Sequence, residues 1–378
     1  MLRLAESPVN GLTIFALSGA YMAFLFAVAW RSEQKRGRGL GPRLRGLIYG
    51  LSLAVYCTSW TFYGAGGTAA RAGWDYLPIY IGPILALTVL FPLWRRVAAA
   101  AKRENTGSIA DFLSARYGKS PTVGALVAVV ALVGALPYIA LQLRSLNQVV
   151  SLLSGAESKS GVLFLLAAVL AGFAILFGAR RVGLTEHNPG LVRAIAVESV
   201  VKLTALMAAA LLAWLILVAR PDMPLHLAPK LAAPPYFDLR FNVQVLLAAA
   251  AIFCLPRQFH MAFVELEDQR DLSSARVLLP TYLVLTSLAI VPIASAGLAL
   301  PALAKTEPDL YVLALPLHGG AGWLTALVYV GGFSAATAAV VVETVALSSM
   351  ASNQFVLPWL TERWMSRQPT TLLPSQIM

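Results

Sequence analysis

Charge is scarce in this chain. Only 12% of its 378 residues are Asp, Glu, Lys or Arg, whereas a soluble domain carries roughly a quarter. Such a chain has no polar surface to show to water, which excludes an ordinary soluble globule. Cysteine is nearly absent. Cys57 and Cys254 both lie in apolar stretches, so no disulfide framework can be argued. His187, His226 and His318 fall in connections and show no ligand spacing with cysteine, so no metal site is expected. No phosphoacceptor-histidine box and no Gly-rich ATP-binding motif occurs, and no acid, base and metal residues converge on one face. The chain as written is therefore expected not to be an enzyme. A cleavable signal is not evident, because the first apolar run is too long for one and lacks a basic lead-in.

What the chain has in abundance is hydrocarbon, with 58% hydrophobic residues and a mean hydropathy of +0.72. About twenty apolar residues cross a bilayer as a helix. Nine such spans are expected, near 11–30, 46–64, 75–95, 121–153, 160–178, 190–219, 241–264, 277–300 and 321–352. Most of the 29 Lys and Arg residues fall in alternate connections, among them Arg43, Arg45, Arg95, Arg96, Arg180, Arg181, Arg270 and Arg276. That bias marks the cytoplasmic side. It puts the N-terminus outside and the C-terminus, with a short tail at 356–378, inside. The net charge of +11 is thus a topology and lipid-headgroup signal, not a nucleic-acid footprint.

Two spans carry polar or helix-breaking residues in their middles. The second reads Tyr56-Cys57-Thr58-Ser59-Trp60-Thr61-Phe62-Tyr63-Gly64, and the seventh reads Phe253-Cys254-Leu255-Pro256-Arg257-Gln258. Pro256 lacks a backbone donor and clashes one turn back, and Gly64 is the candidate break in the second span. Unwound backbone in lipid persists only against protein, water or a ligand. Transporters place such breaks at matching points of two inverted repeats, with the solute between them. The plainer reading is a Ser/Thr/Gly-rich second span for close packing and an inner loop that starts at Pro256. Between the third and fourth spans, Ser108 with Asp111 three residues on suits a short, capped helix at the inner surface.

Several further segments resemble the sodium/solute symporter family, most closely the branch fused to bacterial sensor histidine kinases. Ser59-Trp60 through Gly67 and Gly73-Trp74 resemble its first broken helix. Thr106–Tyr117, Leu136–Leu143, the run "LPRQFHMAFVE" with the downstream "DLSSAR", and the ninth span resemble later motifs in the same order. The resemblance implies an all-α, LeuT-like fold in the bacterial plasma membrane: a leading helix at 11–30, a first repeat at 46–219 and a partial second repeat at 241–352. It implies a small polar, amino-acid-like solute bound near Thr58, Ser59, Trp60, Gln142, Arg144 and Gln258. It also leaves open a sensory input role beside a kinase region rather than transport. A complete second repeat needs two more helices, so a shortened or split form of a longer protein is expected, with a partner chain or kinase region supplying the rest. Sodium-driven members carry hydroxyls where Ala338 and Ala339 stand, so sodium coupling is not expected. A one-turn slip would bring Ser334 or Thr337 to that place.

Intramembrane charges are functional candidates by default. Glu198 and Lys202, at i and i+4, read as an ion pair reaching toward the inner face, with a proton relay as the alternative. Arg144 is expected either to take a solute carboxylate or to pair with Glu343. His260 reads as a boundary histidine. Cys57 and Cys254, at equivalent points of the two broken spans, are expected to lie near each other.

Overall fold

The computed structural model describes residues 11–34, 40–155, 164, 167–172, 175, 187–219, 229–232 and 237–365. Among them, five helices are long and apolar enough to cross a bilayer, and two bent helix pairs meet the same test as pairs. Each expected span has a helical counterpart except the one near 160–178, most of which lies outside the described residues, as do Arg180, Arg181 and His226.

Helix α1 (Gly11–Gln34) lies along α8 (Pro189–Val218). The second span starts as α2 (Pro42–Ser52), with proline in the first turn where its missing N–H costs nothing. It tightens into a 3₁₀ turn at Leu53–Tyr56, and Cys57 is extended at φ −79°, ψ 112°. The chain then resumes through a π turn at Trp60–Gly64 into α3 (Ala65–Ala72). The interruption is therefore at Cys57–Thr58. Gly64, the sequence-based candidate, sits inside the resumed helix.

The third span is also not what its hydropathy implied. It is α4 (Pro78–Thr88) followed by α5 (Phe91–Arg103), with a bend of 72° between them. Trp94, Ala98 and Ala101 of α5 are buried at helical spacing, while Arg95 and Lys102 are exposed. The basic end of the expected span is thus a separate amphipathic helix. Next comes α6 (Ile109–Arg116), where the Ser108 side chain accepts from the Asp111 N–H at 3.2 Å, as the cap motif predicted. Asp111 in turn accepts from Gln354 at 2.7 Å, tying this turn to the end of the ninth span.

Helix α7 (Pro121–Ser154) is peripheral and α13 (Gly322–Ala351) is central: 17% of the best spanning window of the first is buried, against 83% for the second. Exposed Leu126, Val130 and Val133 on α7, and Leu211, Trp214 and Leu215 on α8, form apolar surface of the kind lipid covers. Inward, α8 presents Ala205, Ala209 and Ala213 at one-turn spacing, and the small face lets α13 approach closely at Gly331.

The seventh span breaks where Pro256 predicted. Helix α9 (Leu239–Cys254) ends at Leu255, which is extended at ψ 129°, and α10 (Pro256–Phe259) restarts with its proline in the first turn. The two parts differ by 56° in direction. The ring of a proline disfavours helical backbone in the residue before it, so Leu255 is the hinge. Helix α11 (Asp271–Ala299) packs on α2 and α8, and α12 (Tyr311–His318) precedes α13. Beyond the expected end of the ninth span, the chain stays helical through a π turn into α14 (Leu357–Met365), so the first part of the expected tail is helix.

Candidate functional site

The two breaks lie against one another. Gln258 donates from Nε2 to the Leu53 carbonyl at 3.4 Å, and the Tyr49 hydroxyl donates to the Ala262 carbonyl at 2.7 Å. Between the breaks and α7 a cavity of about 910 Å³ opens, within the range of small-molecule sites. Its deep wall is the resumed second span, with Thr58, Ser59 and Trp60, and α7 supplies Tyr138, Gln142, Arg144 and Ser145. The mouth carries Arg71, Asp75, Gln148, Glu307 and Asp309. There the Arg71 guanidinium meets Asp309 at 2.7 Å, and Gln148 Nε2 donates to Glu307 at 3.3 Å.

Each deep residue is held by its neighbours. The Gln142 side-chain oxygen accepts both the Ser59 N–H at 3.0 Å and the Ser59 hydroxyl at 2.6 Å. It thereby satisfies a donor that a restarting helix leaves open. Tyr138 donates its hydroxyl to Thr58 Oγ1 at 2.9 Å. The Arg257 guanidinium lies 4.4 Å from the centre of the Tyr138 ring and 3.3 Å from its oxygen. On its other side Arg257 donates to Glu343 Oε2 at 2.8 Å. Thr58, Tyr138, Arg257 and Glu343 therefore form one polar chain across the second, fourth, seventh and ninth spans.

Five of the six expected solute residues line this cavity: Thr58, Ser59, Trp60, Gln142 and Arg144. Gln258 does not; it is fully buried between the two broken spans. Its chain neighbour Arg257 faces the cavity instead, because the break at Leu255 turns the next residue inward. Arg257 and Tyr138 were not singled out from the sequence. The arginine next to Pro256 was the available signal, and it read as the start of an inner loop. The alternative pairing of Arg144 with Glu343 is replaced by the Arg257–Glu343 pair, which leaves Arg144 exposed to the cavity.

The expected Glu198–Lys202 ion pair does not form. Both residues are buried, at 3% and 2% exposure, so neither reaches for the inner surface. Lys202 Nζ donates to the carbonyls of Ala54 and Cys57, at 2.6 and 2.8 Å. Glu198 Oε1 accepts from Thr337 Oγ1 at 2.8 Å, and the Glu198 carbonyl accepts from Ser334 at 3.1 Å. Ser334 and Thr337, the two hydroxyl candidates of the ninth span, are thus bound to α8, while its third candidate, Glu343, is bound to Arg257. Cys57 is buried and Cys254 exposed, both as free thiols.

Just past the seventh span, buried Glu265 holds the first half of the chain to the second. It accepts the Asn188 N–H at 2.8 Å and the Asn188 side-chain amide at 2.9 Å, with His260 Nε2 at 3.2 Å. Burial alone would raise the pKa of this carboxyl. The His260 and Asn188 contacts outweigh burial and hold it below the ordinary carboxylate range.

With this geometry in view, the likeness to known proteins is specific. Residues 39–209 match the Sodium:solute symporter family. The symporter-like stretch contains the first broken span, the capped turn at Ser108, α7 and most of α8. A relative described as "Uncharacterized symporter YhjB", from Bacillus subtilis (strain 168), is 31% identical over 136 residues. That match covers 36% of this chain and only 26% of the relative's length. Among solved structures, a Na⁺-coupled sialic acid symporter in a substrate-bound outward-open state superposes with a TM-score of 0.64. The likeness covers 96% of this chain and 77% of that one at 15% identity. At that identity it shows the fold alone: the chain is a LeuT-like helical membrane protein.

Proposed function

We propose that the chain is a solute-translocating module that takes a small polar, amino-acid-like solute at the two helix breaks and moves it by alternating access. The observation that carries this is the cavity itself, which ends where two spans unwind side by side. A restarting helix presents the positive end of its dipole. Here Arg144, exposed to the cavity from α7, adds a full charge facing it, while Arg257 beneath is already paired with Glu343. A carboxylate fits that end. The acids at the mouth, Asp75, Glu307 and Asp309, draw in an ammonium group.

The cavity opens at the end bearing Arg71 and Asp309, which the charge bias assigns to the outside, so this conformation is read as outward-open. The Thr58–Tyr138–Arg257–Glu343 chain and the Asp111–Gln354 contact close the other end. The alternative of a sensory input domain shares the binding step and differs only in the step after it, a signal passed on instead of a solute released inside.

Melting-temperature shifts of the purified protein in lipid nanodiscs, read across the common amino acids, test the reading. At least one is expected to stabilise the protein, by about 2.7 kcal/mol at a hundredfold excess over its dissociation constant. The Arg144→Gln variant is expected to weaken that binding by roughly tenfold or more, the loss of one charge-assisted contact. No stabilisation by any amino acid, or equal stabilisation of Arg144→Gln, overturns the site. Binding without uptake into proteoliposomes favours the sensory alternative.

A further inference from the structure

A solved structure with this fold is described as Na⁺-coupled, which raises whether the residues here fit a sodium ion. Free carbonyls at a broken helix are the usual cation ligands of such folds. In this chain the carbonyls at the first break, Ala54 (which also accepts the Cys57 N–H at 3.0 Å) and Cys57, already hold the Lys202 ammonium at 2.6 and 2.8 Å. The ammonium arrives from α8, is 2% exposed, and carries the same charge as sodium. The hydroxyls that would complete a hard-oxygen shell are committed elsewhere. Thr337 donates to Glu198, and Ser334 accepts from Tyr21 while donating to the Glu198 carbonyl. Ala338 and Ala339 offer no side-chain oxygen. Tyr282 and Thr286, from α11, face the same small space beside Lys202. The tyrosine hydroxyl is spent on the Ser199 carbonyl and the threonine hydroxyl on Tyr282's. A sodium ion here would have no vacant ligands and a fixed positive charge as its neighbour.

We infer that Lys202 is a tethered cation that takes the place of sodium at the first helix break, so that this site works without any alkali-metal ion. The ammonium closes the break by holding two carbonyls, while Glu198, one turn away on the same helix, locks α8 to α13 through Thr337 and Ser334. A tethered ammonium, unlike a bound ion, cannot dissociate, so the first break is closed by part of the scaffold.

The test does not depend on the solute, so its failure and the failure of the solute reading are distinguishable. The full chain in lipid nanodiscs is melted in choline chloride, and sodium, lithium or potassium chloride is substituted at constant ionic strength. The expected result is no sodium-specific shift in melting temperature. A stabilisation by sodium over choline and potassium overturns the inference, and this arm needs no variant. In a Cys254→Ser background, buried Cys57 reports opening of the break through its rate of modification by N-ethylmaleimide. Lys202→Met is expected to speed that modification on the order of tenfold or more, because two charge-assisted hydrogen bonds are lost. In Lys202→Ala, sodium but not choline is expected to slow it again. A Cys57 rate unchanged by Lys202→Met overturns the inference.

Discussion

Arg257 and Glu343 face each other at 2.8 Å with side chains 4% and 2% exposed, so neither charge has water to turn to if the other is removed. Breaking a buried pair from one side costs about 3–5 kcal/mol, while replacing both partners by apolar residues of similar size is often nearly neutral. Glu343→Gln is therefore expected to lower the melting temperature sharply, and Arg257→Met with Glu343→Leu to recover most of the loss. If the double variant melts below the single one, the pair stabilises the fold beyond charge compensation. Glu265 gives a prediction with a sign in pH. Its carboxyl is held below the ordinary range in the folded protein, so its contribution is fully present above the unfolded value of about 4.5 and is lost as pH falls through the folded one. Melting curves taken from about pH 6 down to about pH 3 are expected to show a decline below about pH 4.5 that Glu265→Gln flattens. Of these residues the sequence flagged Glu343 as an intramembrane charge but not its partner. Pairing across 86 residues depends on how the break in the seventh span meets α13, which no local pattern encodes. For the same reason Glu198 and Lys202, adjacent on one helix face, looked like a pair and instead serve different neighbours.

At the scale of elements, proline and hydropathy were readable and the finer points were not. Pro256 marks its break because the restriction on the preceding residue is local. The break at Cys57–Thr58 has no such residue; its unwound backbone is satisfied by Gln142 and Lys202 from other helices, whereas Gly64, the residue a sequence pattern points to, lies further along the chain. The 72° bend between α4 and α5 was hidden because hydropathy averages over a window and does not register a turn inside it. The short α4 crosses α9 at very close range. A Cβ on Gly82 would meet the Ala249 nitrogen and the Val245 carbonyl, both backbone atoms that cannot rotate away. Gly82→Ala is therefore expected to force the two helices apart and to destabilise by about 1–3 kcal/mol, the usual range for overpacking. The neighbouring change Leu85→Ala, at a surface site 39% exposed, is the control. Equal melting temperatures for the two would show that the crossing is looser than described.

For the whole molecule, eight of the nine expected spans have helical counterparts among the described residues and were legible in hydropathy, since each span must satisfy its own backbone in lipid. What the sequence did not show was which helix would be central. The window of α13 is 83% buried and that of α7 only 17%, yet both are similarly apolar, because protein neighbours and lipid neighbours select the same side chains. The cavity joins these scales: α7 forms one wall, the breaks form its floor, and Arg257 at that floor is paired with Glu343 of α13. The most direct test places a cysteine in that wall. Ser145→Cys in the Cys254→Ser background, treated with a membrane-impermeant maleimide on intact cells, should be labelled from outside. The amino acid that stabilises the purified protein should protect it. Labelling only after the membrane is permeabilised, or no protection by a ligand that does stabilise the protein, would contradict an outward-facing solute site at the helix breaks.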